Sequence, residues 1–203
     1  MEQQNSAGPD IKGEVLKPSI VNTWYFRIGA LLGTLALAAE PRALLSQRGL
    51  AFLHLFTFSL GAGALTWVTF VSGIVMFKNM PRTTFGRVQS RLFPIYFAWT
   101  TIVCAIQMVT IAALVPSRFP LIVLSFELVS ALANWLWIEP LTSGVMFRRY
   151  ALEKATDDRR DAAAIKDLYR KFTRLHGISS VLNLIALMAG LVHGWYLSGF
   201  LKF

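Results

Sequence analysis

The sequence predicts an all-α integral membrane bundle of four transmembrane helices. Three observations predict it. Four long apolar runs stand apart from the rest of the chain. Charged residues are scarce, at 15% of 203 residues against 55% hydrophobic, where a soluble domain carries about 25% charged. The Lys and Arg residues concentrate between particular runs, as topology signals do.

The first 20 residues are polar, carry Gly8, Pro9, Gly13 and Pro18, and read as a disordered segment. Residues 21–50 hold a short apolar stretch, 28–39, after Arg27. It is short for a span. The leading expectation is an interfacial or packing helix. A fifth span and a cleaved signal ending in Ala38-Ala39 are the alternatives.

The membrane domain follows, over 51–203. A helix needs about 20 apolar residues to cross the hydrocarbon, and the runs at about 51–77, 92–115, 120–138 and 178–201 supply them. Runs this long argue against the short alternating strands of a β-barrel. Pro116 and Pro120 bracket the tight turn between the second and third.

Orientation follows from the connections. Lys78, Arg82, Arg87 and Arg91 join the first two spans without an acid, and the stretch 148–174 has nine Lys or Arg against five acids. The other connection has only Arg118 and the C-terminal tail only Lys202. This bias puts 78–91 and 139–176 in the cytosol. The membrane is expected to be the plasma membrane or an endomembrane.

The larger loop is predicted to be mostly helical. Ile165, Leu168, Tyr169, Phe172 and Leu175 recur at helical spacing among Lys166, Arg170, Lys171 and Arg174. A cytosolic amphipathic helix lying on anionic lipid headgroups is one reading. A cytosolic continuation of span four is the equal alternative. Asp157-Asp158 marks an expected break from an extension of span three.

The net charge of +9 would raise nucleic acid as a partner of a soluble chain. Here the basic residues sit between spans, so topology and lipid contact account for them and no nucleic-acid partner is expected. The single cysteine, Cys104, excludes an intrachain disulfide and a thiolate zinc site. Phosphate-loop, dinucleotide, zinc-helix and serine-elbow motifs are absent, and no enzyme activity is expected.

Several strings stand out in order. They are Trp67-Val68-Thr69-Phe70-Val71-Ser72-Gly73, Pro81-Arg82 with Phe85-Gly86, and Gln89-Ser90 with Leu92-Phe93-Pro94 and Tyr96-Phe97. Asn134, Trp137, Glu139-Pro140 and Thr142 follow, then Phe172, His176-Gly177, Ser179-Ser180 and Asn183. Together these resemble the transmembrane protein 205 family over roughly 52–197. The resemblance implies a small multi-pass helical protein that aids transport or trafficking of a small solute, drug or ion. It carries over no catalytic residue. A membrane scaffold that binds lipid is the alternative reading. The opening Leu53-His54-Leu55 of the first span is also faintly similar to copper-resistance D-type membrane domains and to four-helix membrane protoporphyrinogen oxidases, which implies haem or copper and a redox role.

The predicted topology gathers these strings at one leaflet. The candidate cytosol-facing cluster is Gln89, Asn134, Glu139, His176 and Asn183, with Arg82 and Arg91 near. Ionisable groups at membrane depth are costly and mark functional sites. Glu139 and His176 could couple a proton or help bind a cation; a polar clamp on helix ends is the plainer expectation. Glu127 is an acid well inside a span and should face the bundle or a water path. His193 lies 17 residues beyond His176 on one helix, hence about 25 Å away. His54 and His193 are therefore the only histidines that could share a haem or metal, and two separate interfacial histidines are the expected case. Ala186, Gly190 and Gly194 repeat at spacing four, which favours close intramolecular packing over a homo-oligomer seam.

Overall fold

The computed structural model describes residues 20–155 and 161–200. The expected disorder of 1–20, the break at Asp157-Asp158 and the tail at Lys202 fall on or beyond residues outside that range. Among the described residues the chain is helical, with α1 (Trp24–Ala39), α2 (Pro41–Leu44), α3 (Gln47–Trp67), α4 (Gly73–Asn79), α5 (Arg82–Leu114), α6 (Phe119–Ala133), α7 (Glu139–Lys154) and α8 (Ala162–Ser198). Two π turns, Val68–Ser72 and Asn134–Ile138, join α3 to α4 and α6 to α7 without a break.

Four continuous helices are thus long and apolar enough to cross a membrane: Gln47–Asn79, Arg82–Leu114, Phe119–Lys154 and Ala162–Ser198. The chain is an integral membrane protein. The spans pack as a ring, α3 on α5, α5 on α6, α6 on α8 and α8 on α3. One core cluster holds Leu65, Tyr96, Phe97, Trp135 and Leu187; a second holds Cys104, Ile111 and Leu124. Large side chains such as Phe52, Phe56, Ile122, Phe126 and Trp195 stay exposed, which lipid permits because it is as apolar as they are.

The helices run well past the predicted spans. Residues 82–91, expected as loop, are the first turns of α5, and only residues 80–81 separate it from α4. Hydropathy marks the part of a helix in hydrocarbon; Arg, Gln and Lys then continue it into water because they are good helix formers. Span three likewise continues as α7 through Pro140. Proline lacks an N–H and clashes with the carbonyl four residues back. The π turn beside it meets that demand: the N–H of Glu139 bonds to Asn134 O, five residues back. The amphipathic stretch of 165–175 is the first half of α8, not an independent helix on the membrane surface. Its half-buried Leu168, Phe172 and Leu175 turn toward the bundle, against α7.

The N-terminal segment forms α1, which packs on α5. Asn22 accepts a hydrogen bond from Trp135 Nε1 at 3.2 Å, and Phe26 meets the Trp135 ring edge-on. Beyond the far end of α1, Arg42 donates to Ala113 O near the C-terminus of α5, at 2.6 Å from Nη2. The first anchor is midway along the long helix Phe119–Lys154 and the second is near the C-terminal end of α5, so α1 stands alongside α5. Its 16 residues are about 24 Å long.

Candidate functional site

The two ends of the bundle differ. One, the basic end, carries the connections at 79–82 and 154–162. There α5, α7 and the first half of α8 project beyond the apolar zone, and between them lies a cavity of about 870 Å³. All four spans line it. The π turn and α4 contribute Thr69, Ile74 and Phe77; α5 contributes Arg82, Gln89, Phe93 and Tyr96; α7 contributes Glu139, Ser143 and Arg149; α8 contributes Tyr169, His176 and Asn183.

Of the cluster expected from sequence, Gln89, Glu139, His176, Asn183 and Arg82 line this one cavity. Asn134 is buried beside it and donates from Nδ2 to Ser179 O at 3.2 Å, which ties span three to span four. Arg91 is half-buried on α5 and is not among the lining residues. Asn183 is the central strut. Its Oδ1 accepts from the Tyr96 hydroxyl at 2.6 Å and its Nδ2 donates to Thr69 Oγ1 at 2.8 Å, joining spans four, two and one. Glu139 accepts from the Ser143 hydroxyl at 2.7 Å, and His176 stacks on Phe172. The two share the cavity, but among the described residues no ion pair joins them.

Sequence reading missed Arg149, which it counted only as a loop charge. Arg149 is 1% exposed. Its guanidinium lies 5.0 Å from the Tyr150 ring centre, 5.3 Å from Phe172 and 5.6 Å from Tyr169. Nε is 3.3 Å from a Glu153 carboxylate oxygen, yet Nε and Nη1 have no hydrogen-bond partner. Arg82 covers Tyr169 at 5.4 Å. Helical spacing could have found the residue: Glu139, Ser143, Met146 and Arg149 fall on one face of a helix once span three is extended.

Behind the cavity a file of buried polar side chains runs along α5: Tyr96, Thr100, Gln107 and Thr110. Glu127, 2% exposed, stands beside it and points into the bundle as expected. Its carboxylate lies where Gly61 and Gly190 lack side chains, 3.9 and 3.6 Å from the Cβ positions those glycines leave empty. Gly194 faces Phe58 in the same way, so the small residues of α8 serve packing within the chain.

At the opposite end His54 and His193 meet. Their Nε2 atoms are 3.0 Å apart, and His54 Nδ1 lies 2.8 Å from Thr110 Oγ1. The Thr110 hydroxyl also reaches the carbonyls of Ile106 at 2.8 Å and Gln107 at 3.1 Å, and the direction of the two histidine contacts follows the tautomer of each ring. His193 Nδ1 is buried without a hydrogen-bond partner. Two axial nitrogens on one haem iron, each about 2 Å from it, stand about 4 Å apart with a macrocycle between them. The 3.0 Å contact does not fit that group. No group of three or more His, Cys, Asp or Glu among the described residues could hold a metal ion. His176 is not part of this pair, as the spacing required.

Comparison with known proteins covers part of the chain. Residues 55–151 match a family described as a domain of unknown function, DUF4149. The chain is 27% identical over 169 residues to transmembrane protein 205 of Danio rerio, covering 72% of this chain and 90% of that protein. It is 28% identical over 148 residues to xanthocillin biosynthesis cluster protein D of Aspergillus fumigatus, covering 71% and 86%. No solved structure matches.

Proposed function

We propose, from the premise that this chain is a transmembrane protein 205-like multi-pass membrane protein, that it binds a small solute between its four spans and aids that solute's transport or trafficking. One observation carries the reading: the cavity of about 870 Å³ at the basic end, lined by polar groups from every span. Its volume is that of sites for drug-sized molecules, and a bundle built only to pack would close it. The polar file along α5 and the inward Glu127 support movement through the bundle. One relative's name places it in a xanthocillin biosynthesis cluster, which is in keeping with a small-molecule cargo.

The role is a non-enzymatic one. The Lys and Arg bias supports a cytosolic setting for the basic end, in the plasma membrane or an endomembrane, with anionic headgroups beside it. Filling the cavity tests the reading. Thr173 is exposed and lines it, so Thr173→Trp should block it without disturbing the fold. In cells expressing the protein, accumulation of at least one member of a labelled solute panel should change, and Thr173→Trp should cancel the change at equal membrane abundance. Accumulation that responds equally to both proteins would remove the cavity from the function.

A further inference from the structure

The cavity has a distribution of charge and shape that goes beyond solute binding in general. Arg149 is a buried cation with two nitrogens free of hydrogen bonds, on the wall of the cavity. A guanidinium is always charged and presents a planar fork of donors. Leaving such donors unpaired in a buried place is expensive. Glu153 meets the charge at one nitrogen, 3.3 Å from Nε, while its own side chain is 38% exposed. A second guanidinium, Arg82, lines the same cavity and lies 5.4 Å from the centre of the Tyr169 ring that Arg149 also approaches. Both residues bound one end of the space, and the hydroxyls of Tyr150 and Thr173 lie there too.

Part of the remaining wall is apolar, beside the polar groups already described. Ile74 and Phe77 of α4, with Phe85, Phe93 and Phe97 of α5, line it toward the membrane zone. Among the described residues α4 packs on α5 but forms no packed interface with α8. Ile74 and Phe77 on one side and Ser180 and Leu184 on the other are exposed and also line the cavity. The space is thus a cleft that opens sideways between α4 and α8, at the level of the bilayer, as well as toward the basic end.

We propose that the cavity takes a single-chain amphipathic acid, with its carboxylate or phosphate on Arg149 and Arg82 and its apolar chain between α4, α5 and α8. This rests on the cavity being a ligand site. A charge-assisted, forked contact with an acid group supplies the partners that Arg149 Nε and Nη1 lack. The sideways opening lets an apolar chain enter without crossing water.

The purified full chain in non-ionic detergent is titrated with oleate, oleoyl lysophosphatidate, oleoyl lysophosphatidylcholine, oleyl alcohol and inorganic phosphate, and bound ligand is read by native mass spectrometry. Both acids should bind at least about tenfold more tightly than the alcohol and the zwitterion, the scale of a hydrogen bond to a charged group. Inorganic phosphate alone should neither bind detectably nor displace them. Arg149→Met should reduce the acids to the level of the alcohol. Arg82→Gln, at an exposed position, should cut the preference in part, and Arg87→Gln, on α5 outside the cavity, should leave it whole. Thr173→Trp should abolish binding of all four oleoyl or oleyl ligands. If Thr173→Trp abolishes binding but the acids keep their preference in both Arg149→Met and Arg82→Gln, the headgroup assignment is wrong while the cavity remains a site. Acids that bind Thr173→Trp as well as wild type, or that phosphate displaces, overturn the proposal. Absence of binding by any amphiphile, neutral or acidic, overturns the proposal, while the solute-site reading stands or falls by the accumulation assay.

Discussion

His54 and His193 show how one contact organises the end of a bundle. Three spans meet in the sequence His193, His54, Thr110, and each member satisfies the next. Removing His54 leaves the buried His193 short of its partner, while the Thr110 hydroxyl keeps the backbone carbonyls of Ile106 and Gln107. His54→Ala should therefore lower stability by about 1–3 kcal/mol, with His193→Ala costing a similar amount and the double variant much less than their sum, because the two share one hydrogen bond. Thermal unfolding of the three variants in detergent measures this cycle, and strictly additive losses would refute the pairing. The sequence singled out both histidines because it put them at the same depth. It could not say that they touch, since depth along a helix is fixed by residue number but rotation about it depends on neighbours. Arg149 escaped notice for the converse reason: its charge marked it as loop, and only the continuation of span three brings it onto the face of Glu139.

At the scale of elements, what was legible was hydropathy and what was hidden was continuity. The four apolar runs located every span. Their helical extensions were invisible to the same signal, because polar helix formers look like loop when only apolar length is counted. The glycines tell a similar story. Gly86 on α5 lies against α7 so closely that a Cβ there would stand 2.7 Å from Met146 Sδ and closer still to the Tyr150 hydroxyl. Gly86→Ala should force α5 and α7 apart and destabilise the protein by about 1–3 kcal/mol. Gly63→Ala, with nothing within 4 Å of its Cβ position, should be neutral or slightly stabilising, as alanine is the better helix former. A melting comparison of the two decides whether close approach, and not glycine content, governs the bundle.

The whole molecule has one more upright helix than the four strong runs announced. α1 begins beside Trp135, midway along the long helix Phe119–Lys154, and α2 ends by Ala113, so this segment runs from mid-height of the bundle to Ser46 at the end opposite the basic one. This predicts the outcome of cysteine labelling in a Cys104→Ser background. Asn79→Cys and Ala155→Cys should react from one side of the membrane, Ser46→Cys and Ser117→Cys from the other. Ser46 reacting with the Asn79 group would mean that this segment does not lead to the end opposite the basic one. The basic end and its cluster were legible because charge bias and motif position both mark an end of a span. The cavity was not, since a list of residues at one depth does not reveal whether the space between them is filled.

The opening between α4 and α8 changes what concentration means for this protein. A ligand arriving through that gap is drawn from a two-dimensional solution, the leaflet itself, so occupancy should follow the ligand's mole fraction among lipids. Adding ligand-free membrane at fixed total ligand would then empty the site even though the volume of water is unchanged. A weak intrinsic affinity would suffice, because burying each CH₂ of an apolar chain in the bilayer already gains about 0.8 kcal/mol.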